Sequence, residues 1–468
     1  MSLSLYILGL ALTLSGCIPF GKEGSEDTSS GMVSLKLSAW GSMQEASTLR
    51  ELLRDFERTH PKIRVTLIHI PDNYYQKLHL LIASDQAPDV MLTNSLNFPV
   101  YAAHGSFLDL GPLLAAKSDG KSSQGSHINS DSNLNTLDFY PAALQAFSWK
   151  EPSASAKGSV ASNIPSTAPK LEALPRDISN LVVFYNRDRF RQAGLPEPTA
   201  QWTWRDLTQT AAKLTQDTNH DGRPDTFGFS FYAKPPLFWL PFVWSAGGDV
   251  FSADLKHCLL AEPAALEGLQ FYADLRHRWH AAPKKSESGD AAMTQLFLQQ
   301  KLAMMISGRW SVPVLRAQAH FAWDVVPLPS GPSGKSRVGI DGSGYAISAK
   351  TPYPEAAWTL VRFLGSRKAI AKIAESGLIV PARHDVAESG LFANAASSAE
   401  KANLPPAHGH TFLDIIPDGV PSHTPPRWNE FSEELQLALE PVWDGEQSAK
   451  TAIDAALPRL QRILETSP

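Results

Sequence analysis

Apolar and polar residues alternate where the folded part of the chain begins. Leu35, Leu37 and Ala39 stand at every second position, a spacing that predicts a half-buried β-strand. Residues 49–56 then carry apolar side chains at helical spacing, and residues 63–70 return to a strand pattern. Strands that alternate with helices in this way predict βαβ units and a largely parallel sheet.

The same alternation continues along the chain. The apolar run 181–185 predicts a strand, and Thr203 with Asp206 three residues later predicts the start of a helix. Pro354 stands where the first turn of another helix is expected, because proline is tolerated there. The apolar repeat over 453–464 predicts a final helix.

Length and composition narrow the possible folds and functions. The chain has 468 residues, 43% hydrophobic and 19% charged, which exceeds one compact domain and predicts two lobes. A formal net charge of −5 offers no broad basic surface, so no nucleic-acid partner is expected. Two stretches dominated by small and polar residues, 117–135 and 153–170, are interpreted as surface insertions.

The N-terminal segment resembles a lipoprotein export signal. An apolar run over 3–14 is too short to span a bilayer, and small residues at 15–16 lead to Cys17. This lipobox-like pattern implies a signal peptide over 1–16, a diacylglycerol on Cys17 and a flexible tether over 17–32. No Lys or Arg precedes the apolar run, unlike most signal peptides. We expect an exported protein anchored by lipid to the periplasmic or outer face of a membrane.

Several segments in one fixed order carry a resemblance to a known family. They are Leu174-Pro175-Arg176-Asp177, Phe184-Tyr185-Asn186-Arg187-Asp188, Ala193-Gly194-Leu195-Pro196, Lys301-Leu302-Ala303-Met304, Gly308-Arg309-Trp310, Val325-Val326-Pro327-Leu328-Pro329 and the stretch 339–345. Together they resemble the family 1 extracellular solute-binding proteins, relatives of the maltose-binding protein, over about residues 35–465.

This resemblance implies an α/β fold of the type II periplasmic-binding-protein class. Two hinge-linked lobes would hold the ligand in the cleft between them. The first lobe is expected over 33–185 and again over 336–385. The second is expected over 186–335, with C-terminal helices over 386–468.

The resemblance also implies a function. The chain would be the substrate-binding lipoprotein of an ABC importer, a monomer that captures a carbohydrate and delivers it to a membrane permease, without a required cofactor or catalysis. Two alternatives stay open at this point. One is a carbohydrate-active surface hydrolase, which would need a pair of carboxylates. The other is a solute binder for a ligand that is not a sugar.

Candidate ligand-binding residues follow from sugar chemistry and from the resemblance. A pyranose offers an apolar face and a rim of hydroxyls, so its site combines aromatic rings with planar polar groups. Side chains just after parallel strands open onto the ligand crevice of such folds. The candidates are Trp40, Asn94, Asp177, Trp239, Trp244, Trp310, Asp341 and Gly342. Trp239 is included only for its proximity to Trp244, and the competing interpretation of each tryptophan is core packing.

A separate acidic motif has the spacing of a calcium loop. Side-chain oxygens fall at loop positions 1, 3, 5 and 9, with Gly222 at the sharp turn. The proposed ligands are Asp217, Asn219, Asp221 and Asp225, with the carbonyl of Arg223. Gly228 replaces the bidentate glutamate of position 12. We expect a structural calcium, and an acidic turn without metal is the alternative.

Overall fold

A computed structural model describes residues 31–115, 134–150, 169–284, 293–389, 404–421 and 423–466. The predicted signal peptide, Cys17 and the tether up to residue 30 lie outside the described residues. So do all but the last two residues of each predicted insertion. Within the described part of the chain, no helix combines the length and the apolar character needed to cross a membrane.

Strands and helices alternate over most of the described chain. The strands are β1 Val33–Ala39, β2 Ile63–His69, β3 Val90–Asn94, β4 Ser148–Trp149, β5 Lys170–Leu171, β6 Ala173–Ser179, β7 Val182–Asn186, β8 Met304–Ser307, β9 Trp323–Val326, β10 Gly339–Ile347, β11 Val380–Pro381 and β12 Val420–Pro421. The helices are α1 Met43–Thr59, α2 Tyr74–Ala83, α3 Phe98–Ala102, α4 Gly111–Ala115, α5 Pro141–Ala146, α6 Arg187–Gln192, α7 Trp204–Leu214, α8 Pro236–Ala246, α9 Pro263–His277, α10 Met293–Leu298, α11 Val312–Gln318, α12 Pro354–Leu364, α13 Arg367–Glu375, α14 His384–Ala387, α15 Thr411–Asp414, α16 Trp428–Trp443 and α17 Ala449–Glu465. Short 3₁₀ turns lie at Thr136–Asp138 and Arg309–Ser311.

The helix starts follow the local signals in the sequence. Ser42 and Glu45 form a capping box at α1, since each side chain accepts a hydrogen bond from the other residue's backbone N–H. Thr203 and Asp206 form the same box at α7, and α12 begins at Pro354, so both predicted starts are confirmed. In α1, α7 and α12 the apolar residues at helical spacing are buried.

The larger sheet forms the first lobe. Its strand order is β11-β6-β10-β3-β1-β2, and β12 pairs with the start of β10. β1 runs parallel to β2 and β3, whereas β10 runs antiparallel to β3 and β6. The prediction of a largely parallel sheet is therefore wrong beyond β2-β1-β3, because β10 enters from the second half of the chain in the opposite direction.

The smaller sheet forms the second lobe. β7 lies between β8 and β9, and both pairings are antiparallel. The sequence predicts that the first lobe continues to residue 185, which would include β7. β7 instead pairs with β8 in the second sheet, so the chain passes from the first lobe to the second before Val182. The C-terminal helices α16 and α17 pack against each other and against α9. The remaining lobe limits stay predictions.

Candidate functional site

A cavity of about 570 Å³ is lined by residues of both lobes. The first lobe contributes the end of β1, the start of α1 and side chains from β2, β6 and β10, while the second contributes Trp310 and α11. This volume is in the usual range for small-molecule sites, about 300–1,000 Å³. The aromatic lining includes Trp40 and Trp310, and the ionisable lining is Glu45, His69, Arg176 and Tyr345.

Trp40 is held by the loop between β1 and α1. Its indole packs edge-on against Tyr74, with ring centroids 5.0 Å apart. Gly41 adopts a φ of +119°, and a Cβ there would lie 2.7 Å from Oε2 of Glu45, so a side chain does not fit. Nε2 of His69 donates to the carbonyl of Gly41 over 2.8 Å. The loop therefore fixes Trp40 at the cavity edge.

Trp310 reaches the cavity from the second lobe. It lies in the 3₁₀ turn that precedes α11 and is 39% exposed, an unusual value for such a large apolar side chain. Pro313, Val314 and Ala317 of α11 extend the same apolar wall. Trp310 thus offers an aromatic surface that the protein core does not use.

Arg176 provides the buried charge of the cavity. Its Nε and Nη2 each lie 2.7 Å from Oδ2 of Asp177. Asp177 also accepts from the backbone N–H of Ser343 over 2.8 Å and from its hydroxyl over 2.7 Å. Burial is the largest single effect and lowers the pKa of Arg176, but Asp177, Tyr345 and Glu45 together outweigh it, and the net pKa is above its usual value. The guanidinium is therefore charged and fixed in place.

A β-bulge brings Arg176 and Asp177 together. On β10, Ser343 pairs with Asp177 and Gly344 pairs with Pro175, which leaves Arg176 as the extra residue of β6. Successive side chains of a regular strand point to opposite faces, so two neighbours could not bond to each other in this way. A bulge bends the strand and redirects one side chain, as is common beside binding sites.

Asp177 therefore does not line the cavity as the sequence predicts. It is 3% exposed, and its oxygens accept hydrogen bonds from Arg176 and Ser343. The residue that lines the cavity is Arg176, one position earlier in the Leu174–Asp177 segment, which is not among the sequence-based candidates. Its role in the cavity depends on a bulge that strand periodicity does not reveal.

Three other predicted residues form a group outside the cavity lining. The indole Nε1 of Trp244 donates to Asp249 over 3.1 Å, and the Ser95 hydroxyl donates to Asp341 over 3.1 Å. A Cβ on Gly339 would lie 3.5 Å from the Trp244 ring and 3.1 Å from Asp341, so these two side chains flank Gly339. Gly342 adjoins Asp341, and a Cβ there would lie 2.4 Å from the Asp177 carbonyl oxygen, so Gly342 lets β10 approach β6 closely.

The comparisons with known proteins identify the family. Residues 40–371, more than half of the chain, match the family model described as bacterial extracellular solute-binding protein. This chain belongs to that family.

Relatives and solved structures agree with this assignment. The chain is 23% identical over 459 residues to the galactooligosaccharide-binding protein of Bacillus subtilis, covering 96% of this chain and 93% of that one. It is 26% identical over 396 residues to an uncharacterized lipoprotein of Streptomyces antibioticus, covering 81% and 76%. An ABC substrate-binding protein from Listeria monocytogenes, solved with cycloalternan, superposes with a TM-score of 0.77 at 21% identity, covering 93% of this chain and all 100% of the other. The predicted two-lobed fold is thereby confirmed.

Two predicted site residues of this solute-binding protein have other roles in the structure. Trp239 is 2% exposed and packs 6.1 Å from the ring of Trp443, so it belongs to the core. Positions five apart on a helix differ by about 140° around its axis, so Trp239 and Trp244 of α8 face different sides. Asn94 uses its Oδ1 to accept from the backbone and side-chain N–H groups of Asn97, which shapes the turn after β3.

The predicted calcium loop is a hydrogen-bonded turn in this structure. Asp217 accepts from the backbone N–H groups of Asp221 and Gly222, and Gly222 has the expected left-handed φ of +87°. Asp225 accepts from the hydroxyl and N–H of Thr218. Across the described residues, no three His, Cys, Asp or Glu side chains are grouped so that they could hold a metal ion. Calcium binding stays a prediction.

Glu45, His69 and Tyr345 also line the cavity, and sequence reasoning did not select them. Tyr345 stands two residues after Ser343 and four after Asp341 on β10, so strand periodicity alone could have placed all three on one face. Glu45 and His69 contact the loop that carries Trp40, which only the folded chain shows.

Proposed function

We propose that this protein binds a carbohydrate in the cavity between its lobes. The observation that carries the proposal is the lining: Trp40 of one lobe and Trp310 of the other share one cavity with the buried guanidinium of Arg176. An indole face suits the apolar face of a sugar ring, and fixed N–H donors suit its hydroxyls. The ligands named for the Bacillus and Listeria relatives are carbohydrates, which supports the same class.

The position of the cavity favours capture by closure. Because its walls come from different lobes, a ligand that contacts both would stabilise the closed arrangement by its differential affinity for that state. Together with the family membership, this supports a role as the substrate-binding component of an ABC importer that releases its ligand to a membrane permease. We propose that the protein acts as a monomer.

Export and anchoring are proposed from the sequence around Cys17. A small lipidated tether would keep the binding lobes near the permease, and one relative is named a lipoprotein. Cys17→Ser should move the protein from the membrane fraction to the soluble fraction of the expressing cells, because it removes the acylated sulfur. An unchanged distribution of the variant would remove the anchor from the proposal.

The residues that line the cavity give less support to the hydrolase alternative. Glycoside hydrolysis usually needs two carboxylates on either side of the scissile bond. Among the described lining residues, Glu45 is the one carboxylate, and it is bound to the backbone N–H of Ser42. Asp177 lies behind Arg176 and is 3% exposed.

Thermal shift and calorimetry test the binding proposal. The purified protein is screened against cycloalternan, maltotriose, galactotriose, spermidine and a set of amino acids. A sugar present at 100 times its Kd stabilises the folded state by about 2.7 kcal/mol, which raises Tm measurably. A rise with spermidine or an amino acid alone would replace the carbohydrate with another solute. Cleavage of an oligosaccharide during the incubation would favour the hydrolase.

A further inference from the structure

The short helix α11 carries apolar side chains on two opposite sides. Val312 and Leu315 are fully buried in the core. Consecutive residues of a helix are about 100° apart around its axis, so Pro313, Val314 and Ala317 fall within one stripe on the other side. These three line the cavity, where Pro313 and Val314 are partly exposed and Ala317 is exposed. A surface helix normally turns polar residues away from the core, so packing within the lobe does not explain this second apolar stripe.

The first lobe lines the same cavity with aliphatic side chains. Leu67 of β2 and Leu378, which lies two residues before β11, are partly exposed there. Ile373 of α13 lines the cavity as well. A Cβ on Gly377 would lie 3.4 Å from Cγ1 of Val312, so the turn that carries Leu378 comes close to α11. The cavity therefore has aliphatic side chains from both lobes close to one another.

Most polar side chains of the lining are already bonded to protein atoms. The hydroxyls of Ser376 and Thr48 donate to backbone carbonyl oxygens over 2.7 and 3.2 Å. Glu45 and His69 bond to the backbone of the loop between β1 and α1, and Arg176 bonds to a carboxylate. The lining also contains two exposed side-chain amides, those of Gln44 and Gln318. A ligand group placed against the aliphatic side chains therefore meets few polar groups.

We propose that the ligand is a glycoside whose sugar contacts Trp40 and Trp310 and whose aglycone is an apolar, aromatic or alkyl group packed against the stripe of α11. A further sugar ring placed there would remove its hydroxyls from water and give them aliphatic neighbours, which costs free energy. An apolar group loses no hydrogen bond in the same place, and its removal from water is favourable. The inference rests on the proposed carbohydrate binding and adds the class of glycoside.

Two series of ligands test the aglycone, with the sugar kept constant in each. Calorimetry compares methyl α-glucoside, phenyl α-glucoside and maltose, and then methyl β-galactoside, phenyl β-galactoside and lactose. In the series whose sugar binds, we expect the Kd of the phenyl glycoside to be lower than that of the methyl glycoside by about tenfold or more. We also expect it to be lower than the Kd of the disaccharide, because the stripe offers the second sugar no polar partners.

The outcomes separate this inference from the proposed function. A phenyl glycoside that binds no better than the methyl glycoside would overturn the apolar aglycone, and so would a disaccharide that binds more tightly than the phenyl glycoside. Binding of maltotriose, galactotriose or cycloalternan with no binding of either phenyl glycoside would overturn it as well. If the protein binds none of these sugars, the proposed function itself fails.

The double variant Val314→Thr, Ala317→Ser tests the stripe directly. It adds two hydroxyls to the wall at nearly constant volume, so the site should favour the phenyl group less. We expect the ratio of the methyl to the phenyl Kd to fall about threefold or more. Tm without ligand should change little, because both side chains are accessible to solvent. An unchanged ratio with a lower Tm would show that the stripe serves contact between the lobes, which overturns the inference.

Val312→Thr is the matched control on the same helix. It makes the same exchange at a side chain that is 0% exposed and does not line the cavity. We expect a lower Tm, because a hydroxyl is buried in the core, and an unchanged ratio of the two Kd values. Equal changes of the ratio in the control and in the double variant would show general destabilisation and overturn the role of the stripe in binding.

Discussion

The two walls of the cavity are built differently. The first-lobe wall contains a buried chain of contacts in which Ser343 holds Asp177 and Asp177 holds Arg176, all at 2.7–2.8 Å. These groups lie on two strands of the larger sheet. The second-lobe wall is Trp310, 39% exposed on a 3₁₀ turn, followed by apolar side chains of α11.

Because of this difference, substitutions in the two walls should affect fold stability and ligand affinity differently. Groups of the first wall satisfy one another inside the protein, so removing one leaves a buried partner without its counterpart. The exposed face of Trp310 has no such partner in the core, and its contacts become valuable only when a ligand covers it. Substitutions in the first wall should therefore change folding and binding together, and those in the second wall should change binding alone.

Asp177→Ala should have the largest effect. It leaves the guanidinium of Arg176 buried without its carboxylate, which costs about 3–5 kcal/mol of unfolding free energy. Urea denaturation measures this loss, and any ligand affinity should fall with it. Asp85→Asn, which breaks an exposed pair with Lys350, is the control and should leave the urea midpoint unchanged. A midpoint for Asp177→Ala within error of the wild type would contradict the comparison between the walls.

Trp239→Ala tests whether the burial of a residue or the lobe that contains it decides if a substitution lowers stability or ligand affinity. Trp239 belongs to the second lobe but is 2% exposed, so truncation should cost about 3–5 kcal/mol of unfolding free energy. Folded protein at low temperature should keep its Kd, because Trp239 does not line the cavity. A selective loss of affinity with little loss of stability would return Trp239 to the binding site.

Trp310→Ala should reverse that pattern. We expect a loss of about 1–3 kcal/mol of binding free energy from one aromatic contact, measured by calorimetry. The urea midpoint should fall less than for Trp239→Ala, because Trp310 is 39% exposed in the free protein and Trp239 only 2%. Trp310→Phe should keep part of the affinity. Identical Kd values for the wild type and Trp310→Ala would remove the residue from the site.

The sequence predicts the local elements and part of the site. Capping at Thr203 and Pro354 is encoded within a few residues, and both helices begin there. Trp40 is a candidate from the sequence because it directly follows a strand, and Trp310 because it ends a family motif. Both line the cavity. Helix starts and strand ends depend on residues that are close in sequence, so the sequence alone predicts them well.

The rest of the site depends on pairing between distant strands. Arg176 can bond to Asp177, the next residue of its strand, only because β6 bulges against β10. The β10 partner of Asp177 is Ser343, which lies 166 positions further along the chain. The antiparallel direction of β10 likewise follows from its entry into the larger sheet from the second half of the chain. Trp239 shows the reverse error, because closeness to Trp244 in sequence did not place both on one side of α8.

The smallest expected effect concerns the loop 217–225, which lines neither wall. If calcium gathers the carboxylates of Asp217, Asp221 and Asp225, it must bind the folded loop better than the unfolded chain, and mass action then raises Tm. We expect saturating calcium to raise Tm by about 2–4 °C over protein in EDTA, and Asp221→Asn to weaken this response. The Kd for sugar should be the same with calcium and with EDTA, since the ion would stabilise a turn away from the cavity. Equal Tm values in calcium and EDTA would show that the backbone N–H groups already satisfy these carboxylates and that the loop is an acidic turn without metal.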